Sequence, residues 1–64
     1  MIFQPGANVR LHPLSLPAFM REALTMPDLI FGIPIRFRKP GYVAFRLGLH
    51  GGPEWWSETH FIEA

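Results

Sequence analysis

Apolar and polar residues alternate in the second half of the chain, most regularly over residues 40–49. After a Pro-Gly pair, the apolar positions of this run are Val43, Phe45, Leu47 and Leu49, and the intervening ones are Tyr42, Ala44, Arg46 and Gly48. Successive side chains of a strand point to opposite faces, so the pattern predicts a strand with one buried face. In so short a chain, we expect this strand to lie at the centre of the core.

A second alternating set precedes this strand and consists of Leu29, Phe31, Ile33, Ile35 and Phe37. Gly32 and Pro34 interrupt its other face. A proline inside a strand belongs at an edge or a bulge, and glycine often marks a sharp bend. The pattern therefore predicts a strongly bent strand over residues 29–38, or two short strands, followed by a turn at Lys39-Pro40-Gly41.

Near the N terminus, Val9 and Leu11 alternate with polar residues and predict a short strand. Pro13 closes this strand, because proline donates no hydrogen bond to a ladder. Residues 15–24 then place apolar side chains at helical spacing, namely Leu16, Met20 and Leu24. A helix of at most about three turns needs tertiary packing to be stable, so an ordered loop with one helical turn is the alternative.

The C-terminal part predicts two more short strands. A turn at residues 50–53 leads into residues 54–57, and a tight turn over residues 57–60 leads into Phe61-Ile62-Glu63. Adjacent residues of a strand face opposite ways, so one of Trp55 and Trp56 can enter the core while the other lies near the surface. The pattern leaves open which of the two is buried.

Five short strands separated by turns predict a single all-β domain over residues 1–64, with the form of a small closed barrel. A chain of 64 residues buries only ~60% of the surface that its unfolded form exposes. Cysteine is absent, so neither a disulfide nor a thiolate zinc site adds stability. Packing must stabilise the fold, and six Phe, two Trp and one Tyr provide bulk for it.

Composition and charge narrow the classes of function. The chain lacks an apolar run of about eighteen residues and a basic region followed by an apolar stretch, so we expect a cytoplasmic protein without a membrane span. The formal net charge of +1 is too small to indicate a nucleic-acid partner by itself. Residues 29–53 carry four bases and no acid, whereas residues 54–64 carry three acids and no base.

Sites for catalysis, metals or cofactors have weak sequence signals. A metal site could be assembled from His12, His50, His60, Glu54 and Glu58, but no zinc-binding spacing occurs. A hydrolytic triad could draw on Ser15, Ser57, Asp28 and a histidine, but no Gly-x-Ser-x-Gly elbow is present. The glycines near residue 50 lack the Gly-Lys-Ser/Thr of a phosphate loop. We therefore expect no catalytic residues, no bound metal and no cofactor.

The outward positions of the predicted strands suggest a binding face. If Val9, Ile35, Phe37, Val43 and Phe45 point inward, the residues of outward parity are Arg10, Arg36, Arg38, Tyr42 and Arg46. Arginines around an aromatic ring suit acidic protein patches or phosphates, through charge-assisted forks and stacking. This face is predicted to bind a protein partner. The alternative is a solvated face that only keeps the protein soluble.

The order of several short motifs resembles the small SH3-like barrels of cyanobacteria and plastids. The opening Gly-x-x-Val-Arg-Leu, here Gly6 to Leu11, is shared by many such barrels. The motifs that follow are Leu16-Pro17, Met26-Pro27-Asp28-Leu29-Ile30, Gly41-Tyr42, Phe45-Arg46-Leu47, Ser57 and Phe61-Ile62-Glu63. This order is similar to that of the SipA-type proteins, small adaptors that bind a stress-responsive sensor histidine kinase.

The resemblance implies a five-stranded SH3-like barrel with one short helix or helical turn in a loop. It implies a non-catalytic adaptor that binds and modulates a protein partner, such as a sensor histidine kinase. The stretch from Tyr42 through Pro53 and Trp56 to Glu63 is also similar to subunit O of the photosynthetic NAD(P)H dehydrogenase-like complex, so an accessory subunit is the alternative. A third class is an enzyme like the barrel-type dihydrofolate reductase, whose Val-Gln-Ile-Tyr stretch is absent here.

Overall fold

The computed structural model describes residues 2–64, in which a helical insertion separates the first of six short strands from the other five. The strands are β1 (Asn8–Leu11), β2 (Ile33–Pro34), β3 (Phe37–Lys39), β4 (Tyr42–Ala44), β5 (Trp56–Ser57) and β6 (Phe61–Glu63). Between β1 and β2 lie a 3₁₀ turn (Leu16–Phe19), helix α1 (Met20–Thr25) and helix α2 (Asp28–Phe31). A second 3₁₀ turn, Glu58–His60, precedes β6. Of the two structures predicted for residues 15–24, the helix is therefore confirmed and the ordered loop is not.

The strands form two antiparallel three-stranded sheets, β2-β1-β6 and β3-β4-β5. The chain crosses from the first sheet to the second at Ile35 and Arg36. The N–H of Ile35 donates to the carbonyl of Ala7, next to β1, at 2.9 Å, and the N–H of Arg36 donates to the carbonyl of Ala44 in β4 at 3.0 Å. The mostly-β class is confirmed. Over residues 2–64, however, the two sheets do not close into a barrel. Within the same residues, no helix is both long and apolar enough to traverse a bilayer.

The core lies between the sheets and the helical insertion. Its fully buried side chains come from β1, α2, the crossover and β4, and are Val9, Leu29, Ile35 and Val43. Phe45, Trp56 and Phe61 add an aromatic cluster, with the Phe45 ring centroid 5.0 Å from that of Phe61 and 6.4 Å from that of Trp56. Trp56 is thus the buried tryptophan and Trp55 is half-buried. The prediction that the pair divides between core and surface is confirmed.

The central strand is shorter than its sequence pattern predicts. Val43 and Phe45 are buried as expected, but β4 ends at Ala44, and both Leu47 and Leu49 are exposed. Beyond Phe45 the chain forms a loop whose arms meet at an isolated bridge between Leu47 and Pro53, and the N–H of Glu54 donates to the Arg46 carbonyl at 3.1 Å. This loop carries its apolar side chains away from the core, so the predicted continuous strand over residues 40–49 is wrong in its second half.

The first part of the predicted bent strand over residues 29–38 is a helix instead. In α2, the N–H of Gly32 donates to the Asp28 carbonyl at 2.7 Å and closes the helical turn. Leu29 is consequently buried, whereas Phe31 is 78% exposed. The alternative of two short strands is confirmed for the remainder, as β2 and β3. Phe37 is 39% exposed, so the inward orientation predicted for it is wrong.

Gly32 occupies a position that no other residue fits without strain. Its φ is +135°, and a Cβ at this position would lie 2.9 Å from the Ala64 Cβ. We expect Gly32→Ala to lower the free energy of unfolding by about 1–3 kcal/mol, because strain at such a φ adds to the clash. Gly52→Ala is the control, since no atom lies within 4 Å of the added Cβ there, and its effect should stay within about 0.5 kcal/mol. Equal urea midpoints for the two variants would contradict this account.

Candidate functional site

The turn at Pro40-Gly41 sets the faces of the second sheet. Gly41 has a φ of +80°, which suits the third position of a tight turn that has proline at its second position. With these two residues in the turn, Lys39 pairs with Tyr42 and Arg38 pairs with Val43 across the hairpin. Directly paired residues of an antiparallel hairpin share a face. Lys39 and Tyr42 therefore lie on the outer face, and Arg38 on the face of the buried Val43.

This register corrects the outward orientation predicted for Arg38, while the role of the five residues in partner binding stays a prediction. Arg38 was predicted to lie on the outer face beside Tyr42. That orientation would require a hairpin register in which Arg38 does not pair with the buried Val43. The Arg38 side chain is only 19% exposed and its Nη2 lies 4.0 Å from the Glu58 carboxylate, which is itself 15% exposed. Arg38 thus forms a largely buried ion pair, and its charge is not available to a partner.

The other predicted arginines are dispersed. Arg46 donates from Nε to the Glu54 carboxylate at 2.6 Å, so its charge is also compensated within the chain. Arg10 pairs with Ile62 in the first sheet, where it is half-buried, and Arg36 is exposed in the crossover between the sheets. The five predicted residues therefore do not form one basic face, and only Arg36 and Tyr42 are exposed.

A different surface surrounds Tyr42. The Nζ of Lys39 lies 4.9 Å from the centroid of the Tyr42 ring and 4.6 Å from that of the Trp55 ring. Phe37 follows the same face of β3 and is partly exposed. We call the four residues Phe37, Lys39, Tyr42 and Trp55 the aromatic surface. A cation over an aromatic ring is attracted by the ring quadrupole, so this arrangement combines a positive charge with two apolar ring faces.

Three residues of the aromatic surface were missing from the predicted site, although the sequence contained a signal for one of them. A two-residue loop at Pro40-Gly41 places residues 39 and 42 opposite each other. This rule predicts that Lys39 lies beside Tyr42 and that Arg38 lies on the inner face. For Trp55, which follows a long loop, no comparable local signal exists.

The two arginines of the β2–β3 region should respond differently to charge reversal. We expect Arg38→Glu to lower the free energy of unfolding by about 2 kcal/mol or more, because it places a second carboxylate against the largely buried Glu58. Arg36→Glu should change it by no more than about 0.5 kcal/mol, as Arg36 is exposed. Thermal melts of the two variants measure this difference. A melting temperature that falls equally in both would contradict the assigned register.

The residues considered for catalysis and metal binding are only partly brought together. Ser15 Oγ lies 3.3 Å from His60 Nδ1 across 45 residues of sequence. Among the hydrogen bonds of residues 2–64, none joins this histidine to an acid that could orient it. In that same part of the chain, no three His, Cys, Asp or Glu side chains are grouped closely enough to hold a metal ion. The contact fixes the second 3₁₀ turn against the residues that precede α1.

Comparisons of this chain with protein-family profiles, with curated proteins and with solved structures found no match. Evidence on function therefore comes from the geometry of the side chains. The geometry favours the aromatic surface, where an exposed cation lies close to the exposed Tyr42 ring and the half-buried Trp55 ring.

Proposed function

We propose that this chain is a small non-catalytic adaptor that binds a protein partner through the aromatic surface. The observation that supports this proposal is the position of the Lys39 Nζ, which lies 4.9 Å from the ring centroid of Tyr42 and 4.6 Å from that of Trp55. Tyrosine and tryptophan are enriched in protein interfaces, because they offer large, rigid contact area at little cost in conformational entropy. The partner suggested by the resemblance is a sensor histidine kinase.

The proposal includes an SH3-like arrangement of five strands, in which the barrel is open and one bent strand joins the two sheets. The support is the continuity of β2 and β3 through Ile35 and Arg36, whose N–H groups bond to opposite sheets. Counted as one bent strand, β2 and β3 would reduce six strands to five and would belong to both sheets. A bend of this kind is how a strand turns the corner between two packed sheets.

The chemistry of the aromatic surface favours an acidic segment on the partner. Lys39 is exposed and carries its charge in the acid-free middle of the chain, with the exposed Arg36 three residues earlier. A rim charge mainly steers encounter, whereas buried aromatic anchors supply most of the binding free energy. We therefore assign Lys39 to orientation and association rate, and Tyr42 and Trp55 to affinity.

The test starts with an affinity pull-down from native lysate, in which mass spectrometry identifies the partner, followed by calorimetric titration of the purified partner. We expect Tyr42→Ala and Lys39→Glu each to weaken binding about tenfold or more. Leu24→Ala is the control, because it removes an apolar side chain on α1 that is more exposed, at 78%, than Tyr42, at 44%.

Two outcomes would contradict the proposal. If Leu24→Ala abolished binding while Tyr42→Ala had no effect, the interface would lie on the helical insertion. If the purified protein turned over a nucleotide or nicotinamide substrate, and this activity vanished on replacement of one histidine, the chain would be an enzyme. Either comparison is valid only if the melting temperature of every variant is close to that of the wild type.

A further inference from the structure

A cleft that borders the aromatic surface at Trp55 lies beside the helical insertion and the second 3₁₀ turn. The residues that line it include Phe19, Glu22, Trp55, Trp56 and His60, and its volume is about 310 Å³. Ligand pockets in proteins begin at about 300 Å³, so this cleft has room for one side chain or small head group rather than a cofactor.

Aromatic rings form one wall of the cleft. The ring of Phe19 stacks on Trp56 with centroids 5.1 Å apart and an interplanar angle of 24°, and His60 meets Phe19 edge-on at 4.8 Å. Packing in this way fixes the orientation of the rings. Phe19 is half-buried, so part of its surface is still open to a ligand. A planar group can therefore stack against the accessible part of this ring.

The charged lining of the cleft is acidic. Glu22 and Glu54 both contribute to it, but the Glu54 carboxylate accepts the 2.6 Å bond from Arg46. Glu22 is different, because neither of the two ion pairs recorded for residues 2–64 includes it. The residues that line the cleft include no lysine or arginine. Glu22 is thus a half-buried carboxylate without a cationic partner, beside a stack of aromatic rings.

We propose that this cleft binds an arginine side chain of a partner polypeptide. A guanidinium stacks on aromatic faces and donates two parallel N–H bonds to a carboxylate, so it matches both features of the lining. Anionic ligands and nucleic acid would be repelled by Glu22. This inference goes beyond the proposed function, because Phe19, Glu22 and His60 lie outside the aromatic surface and only Trp55 belongs to both sites.

The experiment uses two blocked pentapeptides, Gly-Ser-Arg-Ser-Gly and the same peptide with citrulline in place of arginine. Citrulline has nearly the shape of arginine but no charge. Each is titrated into the uniformly ¹⁵N-labelled protein, and the two tryptophan indole N–H signals are followed. We expect saturable shifts with the arginine peptide, in the millimolar range, and about tenfold weaker binding of the citrulline peptide.

Matched variants locate the site. Glu22→Gln should weaken binding of the arginine peptide about threefold, the effect of removing one partly exposed charge. Glu63→Gln removes a carboxylate of β6 that does not line the cleft and should leave the affinity unchanged. Phe19→Leu keeps an apolar side chain but removes the stack, and should reduce the affinity further than Glu22→Gln does.

The results separate this inference from the proposed function. Equal binding of the two peptides, or equal effects of Glu22→Gln and Glu63→Gln, would overturn the arginine assignment and leave the aromatic surface untouched. Conversely, Tyr42→Ala should not alter binding of the arginine peptide. If Tyr42→Ala did abolish it, the arginine would be bound at the aromatic surface and the cleft proposal would be wrong.

Discussion

Phe45→Ala should lower the free energy of unfolding by about 3–5 kcal/mol and leave most of the protein unfolded at room temperature. The Phe45 ring is only 6% exposed and makes edge-to-face contacts with both Phe61 and Trp56. Its removal leaves a cavity between the two sheets and breaks both ring pairs. Small domains of this size have a total stability that is often no larger than this loss.

Tyr42→Ala is the matched control for Phe45→Ala, because it removes an aromatic ring of similar size from a nearby position. Tyr42 is 44% exposed and lies on the outer face of β4. We expect its replacement to lower the free energy of unfolding by no more than about 1 kcal/mol. Urea titrations followed by circular dichroism measure both values. The assigned faces of β4 would be wrong if Tyr42→Ala proved the more destabilising change.

Leu29→Ala should destabilise the protein by about 2–5 kcal/mol. The side chain of Leu29 is 0% exposed, and α2 packs against β1 at the centre of the first sheet. The free energy of unfolding from urea titration is the appropriate measurement.

Phe31→Ala distinguishes the helix from the strand that the alternating pattern predicts. On a strand, residues 29 and 31 would share the buried face, and both replacements would be severe. In α2, Phe31 is exposed, so its replacement should change the free energy of unfolding by about 0.5 kcal/mol or less. Losses of similar size for Leu29→Ala and Phe31→Ala would indicate that residues 28–31 form a strand in solution.

Much of the fold follows from local patterns in the sequence. The strand at Val9 and Leu11, the helical residues before Thr25 and the burial of Val43 and Phe45 were all predicted from side-chain spacing. These elements are correctly predicted because each one buries the face that its own pattern marks as apolar. Local spacing is sufficient in such cases.

Alternation fails as evidence where the chain changes direction. Residues 29, 31 and 33 alternate in sequence, but the helical turn closed by Gly32 sends Leu29 and Phe31 to opposite environments. Leu47 and Leu49 continue the pattern of β4 beyond the point where the strand ends. Tertiary contacts decide where a strand ends. The alternation of apolar and polar residues can continue in the sequence past that point.

The candidate site was predicted less well than the fold, because it depended on parity over a long distance. Exposure of Tyr42 was correctly predicted, while Arg38 was assigned to the wrong face. Charge compensation was not visible either, since Arg46 and Arg38 find their acids 8 and 20 positions later, at Glu54 and Glu58. Such pairs depend on how the second sheet folds back, which a search for local motifs does not reveal.

The helical insertion is attached to the sheets unevenly. Residues 16–25 bury a single side chain fully, that of Ala23, whereas α2 is held by Leu29. Elements with few buried contacts open at a lower free energy than the rest of a protein. We therefore expect residues 16–25 to detach as a unit while both sheets stay folded. Phe19 and Glu22 move with that unit, so the width of the cleft fluctuates. A bound arginine would reduce the range of this fluctuation.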